Sequence, residues 1–528
     1  MPQDNCPLVV LATLNAKYIH ASLGLRYLLA NMERHGNKAL AANTVLREFT
    51  IQMPPQSVVD ELAQLKPQIV GLGVYIWNVD TTTEVVRLLK AQHPHIKVVL
   101  GGPEVSHEHQ EQAIVSMADH VITGWGDVSF PKLCWALLHG PKPLMKVIPG
   151  EQPPLTEIEL PYAHFSPEDL AHRVLYVEAS RGCPFKCEFC LSSLDQTAWA
   201  FDLDRILGEL HQLYERGARH FKFVDRTFNL KTETSIQILQ FFLDRLSQSA
   251  QGPALFVHFE VIPDHLPDAL KAQIALFPPG VLQFEVGIQS FNPQVQHRIS
   301  RKQNNDKTEA NLLWLIQHSR VHIHADLIWG LPGETLESLA AGFDRLYALG
   351  PHEIQLGLLK RLRGTPISRH TAEWSMEYDP KPPYIVKQTL TLSAETIERL
   401  DRMARYWERV ANSGRFTRTL PLLMHAPVHD GQISPFWAFM AFSDRVWARH
   451  QKTAFLTPEN WVDEIFDHLV LRLGLDEERV RQTLLTDYLA SGARAKPQCL
   501  RLVLSKPSVS RPSVHLTQRQ AMHASAQE

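Results

Sequence analysis

Twice along this chain, short apolar runs rich in β-branched residues alternate with segments whose apolar residues recur at helical spacing, the pattern of βα units and parallel sheets. The first series runs from Val9 to about Gly140: VVLATL, a weaker run near Ala39 to Leu46, QIVGLGV, KVVL and HVIT. Between them lie helical patterns such as TTTEVVRLLK, with Val85, Val86, Leu88 and Leu89 on one stripe. These units predict a doubly wound sheet that takes ligands beyond the carboxyl ends of its strands. Those ends carry the segments Asn15 to His20, Tyr75 to Asp80, Gly101 to Glu104 and Gly124 to Asp127.

The second series has strand candidates at 174–180, 220–225, 255–261, 281–289, 321–328 and 353–359. Leu203, Ile206, Leu207, Leu210, Leu213 and Tyr214 make one helical stripe between them; Ile236, Leu239, Leu243 and Leu246 make another. Six βα repeats predict an open or partial barrel with its chemistry at the strands' carboxyl ends. Strand alternation places Leu282, Phe284, Val286 and Ile288 toward the helices and Glu285 and Gln289 toward the lumen. Asp326 shares a face with His322 and His324. The Pro-rich stretch from about 141 to 172 reads as a connection with little regular structure that separates two domains. Beyond about 372 the pattern is helical and aromatic with no further strands, and the last residues lack periodicity and read as a disordered tail. The expected division is 1–145, a linker at 146–172, 173–370, 371–504 and a tail at 505–528.

With 528 residues the chain suits about three to four domains. Its net charge of −3 gives no global attraction to nucleic acid or an anionic membrane, and no nucleic-acid module is visible. No apolar stretch is long enough to span a bilayer and the N-terminus has no signal-peptide pattern, so a cytoplasmic protein is expected. Six cysteines (Cys6, Cys134, Cys183, Cys187, Cys190 and Cys499) are too few for a disulfide framework, yet three of them occupy eight positions.

That cluster, Arg181-Gly182-Cys183-Pro184-Phe185-Lys186-Cys187-Glu188-Phe189-Cys190, directly follows the first strand of the barrel series. Three thiolates on one loop can converge on one metal centre, while a closed zinc site wants a fourth ligand; the nearest histidines, His172 and His211, lie outside the loop. An iron–sulfur cubane held by three thiolates leaves one iron open. The spacing resembles the radical S-adenosylmethionine (radical SAM) enzymes, in the branch that includes the coproporphyrinogen dehydrogenases. The resemblance covers about residues 174 to 370 and implies a (βα)6 partial TIM-type barrel carrying a [4Fe-4S] cluster on Cys183, Cys187 and Cys190. It further implies S-adenosyl-L-methionine (SAM) contacts from Phe189, Asp225 in FVDRTFN, Glu260 ending FVHFE, Gln289 of EVGIQSF, Arg301, and Asp326 of ADLIWGLPGET.

In front of such a barrel, the segments LNAKYIHASLGLRYL, GLGVYIWN, VVLGGPEVS and VITGWGD resemble the cobalamin-binding, flavodoxin-like domain of cobalamin-dependent radical SAM enzymes. The resemblance implies cobalamin contacts from Asn15, His20, Tyr75, Trp77, Asn78, Gly101, Gly102, Gly124 and Gly126. Two departures stand out. Trp125 sits in what is often a Gly-Glu-Gly-Glu stretch, and the Asp-x-His-x-x-Gly motif is missing, with Tyr18 at the aspartate position and Gly24 one position late. Many radical SAM relatives lack that motif too, so its absence bears on histidine ligation of cobalt more than on cobalamin itself.

The resemblance then implies a methyltransferase: reductive SAM cleavage yields a radical that takes hydrogen from an unactivated carbon, and methylcobalamin supplies the methyl group to a carbon or phosphorus centre. Two alternatives stay open, a redox rearrangement or cyclisation without methyl transfer, and a non-catalytic cobalamin- and SAM-binding protein. Expected partners are a small-molecule or peptide substrate and an electron donor such as flavodoxin or ferredoxin. The C-terminal region, with KRLRGTP and NSGRF, resembles an accessory domain attached to a subset of these proteins; Lys360, Arg361 and Arg363 suit either an anionic substrate or a solvated loop.

Overall fold

The structure, a computed structural model, describes residues 8–248, 255–425, 432–493 and 495–504. It divides into two compact units. One contains the described residues up to Arg226 together with Lys360–Ser368 and Asp379–Ile385; the other contains Thr227–Leu359, Arg369–Tyr378 and the described residues from Val386 onward.

The first unit is built on a parallel sheet of β1 (Val9–Asn15), β2 (Thr44–Thr50), β3 (Ile69–Gly73), β4 (Lys97–Gly101), β5 (His120–Thr123) and β6 (Val147–Pro149), in the order β2-β1-β3-β4-β5-β6. Strand β1 is apolar and buried along almost its whole length because helices cover both faces. Val10, Ala12 and Leu14 pack with Val58, Val59, Leu62, Val85, Val86 and Leu89 on one side. Val9 and Leu11 pack with Leu25, Met32, Phe130 and Leu133 on the other. The strand order reverses at β1, which makes the β1/β3 boundary the switch point where such sheets open a crevice.

Two segments of this unit depart from expectation. The weak run at Ala39 to Leu46 is split between a helix, Lys38–Ala42, and the start of β2. Asn37 caps the helix by accepting from the Leu40 amide at 2.7 Å, and this local bond overrides the strand pattern. The Pro-rich stretch is ordered: β6 extends the sheet by pairing with β5, and a capping box on Ser166 and Asp169 starts the helix Pro167–His172. Ile158, Tyr162 and Phe165 are buried, so the stretch packs as part of this unit and does not act as a spacer. The prolines set extended and helix-start geometry here.

The barrel strands follow. In the first unit β7 (Leu175–Val177) pairs parallel with β8 (His220–Phe223), and the helix Leu203–Glu215 buries Ile206, Leu210, Leu213 and Tyr214. In the second unit β9 (Phe256–Val261), β10 (Leu282–Gln289), β11 (His322–Trp329) and β12 (Glu353–Leu358) are parallel neighbours in chain order. Leu282, Phe284, Val286 and Ile288 are buried while Gln283, Glu285, Gly287 and Gln289 are half-exposed, the alternation expected. The first unit thus holds two of the six expected strands and the second unit four. One stripe is rotated from expectation: the helix Thr232–Gln248 buries Ile238, Leu239 and Phe242, whereas Ile236, Leu243 and Leu246 are only partly covered. The larger Phe242 ring takes the core position.

The C-terminal part is mainly helical, with Ala394–Val410, Pro435–His450, Pro458–Asp467 and Glu477–Ala490. Contrary to expectation it contains a short antiparallel pair, Glu377–Tyr378 with Val386–Gln388. Asn412 exchanges bonds with the Ile354 backbone at 3.1 and 2.9 Å, and the Trp407 indole donates to the same carbonyl at 2.8 Å, tying the long helix to β12. Among the described residues no helix is long and apolar enough to cross a membrane. The expected tail at 505–528 lies outside the described residues.

Candidate active site

A cavity of about 440 Å³ opens within the first unit. One wall is formed by the carboxyl ends of β3, β4 and β5: Gly73, Tyr75, Gly101, Gly102 and the turn Gly124-Trp125-Gly126-Asp127. The other is formed by residues that follow β7 and β8: Glu178, Ser180, Arg181, Gly182, Ser192, Asp195, Asp225 and Arg226. Its volume lies in the range of sites that bury a small ligand or part of a large one.

Tyr75, Gly101, Gly102, Gly124 and Gly126, five of the residues expected at cobalamin, line this cavity. The glycine pair divides into two roles. Gly102 has φ +111° and a Cβ there would stand 2.4 Å from the Val74 carbonyl, so backbone packing demands glycine. At Gly101 the nearest atom to a Cβ would be 3.8 Å away. Neither packing nor backbone angle requires glycine at this position, and its smallness leaves space on the cavity side for a ligand.

The remaining expected contacts are spent elsewhere or stand outside the lining. Asn78 is fully buried: its amide donates to Leu14 and Gly73 carbonyls at 3.0 and 3.1 Å, and its oxygen accepts from the Tyr75 amide at 2.8 Å. Asn78 therefore shapes the loop under Tyr75. Asn15 donates to the His20 carbonyl and to Glu48. Trp77 stacks on Tyr75 at 4.5 Å and is 48% exposed. His20 Nδ1 lies 2.7 Å from the Tyr176 hydroxyl; burial, with Lys17 and Lys222 nearby, lowers its pKa, which favours the neutral imidazole.

The cysteine loop is held by its own backbone. Gly182 has φ +82°, and a Cβ would meet Thr197 Oγ1 at 2.6 Å and the Asp195 carbonyl at 2.8 Å. The Cys183 amide donates to that same carbonyl at 2.8 Å, and Ser193 Oγ donates to the carbonyls of Cys187 at 2.9 Å and Cys190 at 2.7 Å. Cys183 and Cys187 are buried and Cys190 is half-buried, and none of the three is in a disulfide. Burial pushes the Cys183 thiol up, and the nearby Cys190 and Cys187 add to the shift. Among the described residues no group of three or more His, Cys, Asp or Glu converges as a single-ion site does. Three thiols on one loop match the donor number of a cubane with one open iron, whereas a closed zinc site wants a fourth ligand.

Asp225 is buried at the cavity edge, where its carboxylate accepts from the Ala179 amide at 2.9 Å and from Ser180 Oγ at 2.5 Å. Burial pushes its pKa up to about 7 against the pull of those two donors. Phe189, between two of the cysteines, is half-buried.

Sequence reasoning missed the residue that organises this wall. Arg181 donates to Glu178 at 2.9 Å and to both oxygens of Asp127 at 2.8 and 3.2 Å, with its guanidinium 4.4 Å from the Tyr27 ring centre and 4.9 Å from that of Trp125. Burial alone would lower its pKa, but Glu178 and Asp127 hold it well above the ordinary arginine value. Trp125, the residue that departs from the family pattern, donates its indole N–H to Asp195 at 2.7 Å. The only signal in the sequence was position, two residues before the first cysteine, since the Asp127 partner comes from a distant segment and only Glu178 is local. The two arginines of the basic stretch are likewise accounted for within the unit, while Lys360 is exposed. Arg361 pairs with Glu108, and Arg363 pairs with Glu104 at 2.8 Å and with Glu108 at 3.2 Å. These arginines close on the loop after β4 and are not displayed to an anionic substrate.

In the second unit Glu260, Gln289 and Asp326, three of the residues expected at SAM, lie on the strands of the sheet, and Arg301 follows the helix Pro293–Arg298. Glu260 stands opposite Glu285, and Gly287 opposite Asp326. The register slips between Gly287 and Gln289, where Gln289 adopts φ +70° and its buried Oε1 has no hydrogen-bond partner. Arg301 donates to the Gly287 carbonyl and, at 2.9 Å, to Gln303, so it braces this bulge. In the same sheet, Glu353 engages both His322 and His324.

Comparison with known proteins agrees with this architecture. The chain matches three family models in order: a B12 binding domain over residues 9–134, the radical SAM superfamily over 177–346, and a protein family of unknown function, DUF4080, over 372–523. The chain thus carries, in order, a segment similar to B12 binding domains and a segment similar to the radical SAM superfamily. Its curated relatives include the 2-(S-pantetheinyl)-carbapenam-3-carboxylate methyltransferase of Streptantibioticus cattleyicolor, 24% identical over 63% of this chain and 53% of the relative. Another is the cobalamin-dependent radical SAM methyltransferase TokK of Streptomyces tokunonensis, 23% identical over 70% of this chain and 58% of the relative. The chain thus spans little more than half the length of these relatives. Among solved structures, OxsB with aqua-cobalamin and SAM bound aligns with a TM-score of 0.61 and 13% identity, covering 99% of this chain and 83% of that one. The methyltransferase TsrM of Kitasatospora setae aligns with a TM-score of 0.56 and 15% identity, covering 73% of this chain and 79% of that one. At these identities the two structures bear on fold alone.

Proposed function

We propose that this protein is a cobalamin-dependent radical SAM methyltransferase acting on an unactivated carbon or phosphorus centre of a small molecule or peptide. The observation that carries the proposal is the single cavity walled on one side by the glycine-rich strand ends of the B12-binding domain and on the other by the base of the cysteine loop. The residues fit both groups: Gly101 leaves space that the protein does not fill, and the three cysteines of one loop supply the three thiolates a cubane with one open iron needs. Tyr75, Gly101, Gly124 and Gly126 would hold cobalamin; Cys183, Cys187 and Cys190 would hold a [4Fe-4S] cluster; Phe189, Glu260, Gln289, Arg301 and Asp326 would contact SAM. When bound, the cluster supplies the electron for reductive SAM cleavage and cobalamin supplies the methyl group. The chain's own residues position and shield. Asp225 fixes the Ala179–Ser180 turn that leads into the cysteine loop, and the Tyr75–Trp77 stack covers the β3 loop with apolar surface.

Anaerobic reconstitution with iron, sulfide and hydroxocobalamin tests the reading. About four iron and one cobalt per chain are expected, followed by transfer of label from methyl-labelled SAM and a product heavier by one CH2. Iron without cobalt would overturn the account of the N-terminal domain, and any other mass change would favour a rearrangement without methyl transfer. Cys187→Ala is expected to abolish deoxyadenosine formation while cobalamin binding survives; equal loss of both would indicate a folding defect.

A further inference from the structure

The turn Gly124-Trp125-Gly126-Asp127 does more than line the cavity, because two of its side chains reach across to the segment that bears the cysteines. Asp127 takes the Arg181 guanidinium by both oxygens, and Trp125 takes the Asp195 carboxylate by its indole N–H. Both struts end on the backbone of Cys183. Arg181 is joined to it through Gly182, whose surroundings leave no room even for a Cβ. Asp195 is joined to it through the 2.8 Å bond from the Cys183 amide. Arg181, Asp127 and Glu178 are nearly excluded from solvent, so the guanidinium cannot exchange its carboxylates for water without opening the cavity wall. A displacement of the 124–127 turn must therefore move Cys183, and the reverse.

We infer that Arg181, with Trp125 as a second strut, is a positioning residue that couples occupancy of the cobalamin site to occupancy of the iron–sulfur site. The inference rests on the proposed function, since it needs both groups to bind. Each loop is pre-ordered by the other's cofactor: cobalamin packed against Gly124 and Gly126 fixes the turn that holds Arg181 and Asp195, and iron on Cys183 fixes the loop that holds Asp127 and Trp125. Thermodynamic linkage makes the effect reciprocal.

The test uses the full-length chain without substrate. The Kd for hydroxocobalamin is measured by equilibrium dialysis, under anaerobic conditions, on iron-free and on cluster-loaded protein. For the unaltered protein, cluster loading is expected to tighten cobalamin binding by about fivefold or more. In Arg181→Gln, which leaves the Trp125 strut in place, the ratio of the two Kd values is expected to fall at least twofold toward one, with Arg181→Lys intermediate because an ammonium keeps the charge without the fork. A merely structural Arg181 would lower both affinities together and leave the ratio unchanged; that result, or a ratio of one in the unaltered protein, overturns the inference. If Arg181→Gln does not fold, Trp125→Phe decides. It removes one N–H and leaves the ion pair, and the ratio is expected to fall below that of the unaltered protein, whereas an unchanged ratio overturns the coupling. Failure of the unaltered protein to bind any cobalt would instead overturn the proposed function, and the inference with it.

Discussion

At the scale of single residues, the two glycines after β4 separate folding from binding. Gly102→Ala forces a Cβ into the Val74 carbonyl at a positive φ and is expected to destabilise the first unit by about 1–3 kcal/mol, read by urea denaturation. Gly101→Val is expected to leave that midpoint nearly unchanged while weakening hydroxocobalamin binding at least tenfold. Equal effects from both would remove the argument that Gly101 makes room for a ligand. Asp225 gives a pH signature. Its pKa is about 7 in the folded chain and about 4 when unfolded, so between those values the folded state binds more protons and stability falls as pH rises. Asp225→Asn lacks this slope: relative to the unaltered protein, the variant is expected to gain stability from pH 4 to 7 and stay level above. The cysteine triad was legible because three thiols in eight positions form a local pattern. Arg181 was not, because its worth comes from Asp127, more than fifty residues earlier and on another loop.

At the scale of elements, the β4 loop owes its conformation to a segment about 250 residues away in sequence. Arg363 reaches Glu104 and Glu108, and the Tyr384 hydroxyl donates to Glu104 at 2.5 Å. Arg363→Ala leaves the buried Glu104 with Tyr384 alone, and the loss of a largely buried pair is expected to cost about 3 kcal/mol locally. Faster hydrogen exchange over 102–108 with unchanged exchange in β1 would show it; uniform exchange across the unit would refute the local clasp. The composition of KRLRG suggested a basic surface. Where those arginines point depends on an acidic turn that only long-range packing brings near. The periodic elements were easier to read: the alternation in β10 is a property of eight consecutive residues. The helix at 232–248 was misjudged by its rotation, since two faces carried apolar residues and the bulk of Phe242 decided between them.

At the scale of the molecule, the boundary expected at the Pro-rich stretch is not a boundary of compactness. The first unit runs from the B12-binding sheet through to Arg226. Arg26 pairs with Glu48 at 2.9 Å and Asp169 at 2.8 Å, and Arg173 pairs with Glu48 at 2.7 Å, a buried charge network across the supposed linker. Nicking the chain between 150 and 166 is accordingly expected to leave the fragments associated in a sizing column, and a fragment ending at 145 is expected to be poorly stable. A well-folded 1–145 fragment with native-like unfolding would contradict this. The sequence alone determined the βα alternation, the three-part order of the chain and the clustering of three thiols, because hydrophobic period and cysteine spacing are local and survive without knowledge of neighbours; the cofactors to look for came with the family resemblance. Which glycine makes room, which histidine and asparagine are already engaged, and how the cysteine loop is fastened to the cavity wall were decided only by the tertiary structure. Those properties depend on desolvation and on partners distant in the chain, and neither is encoded by spacing.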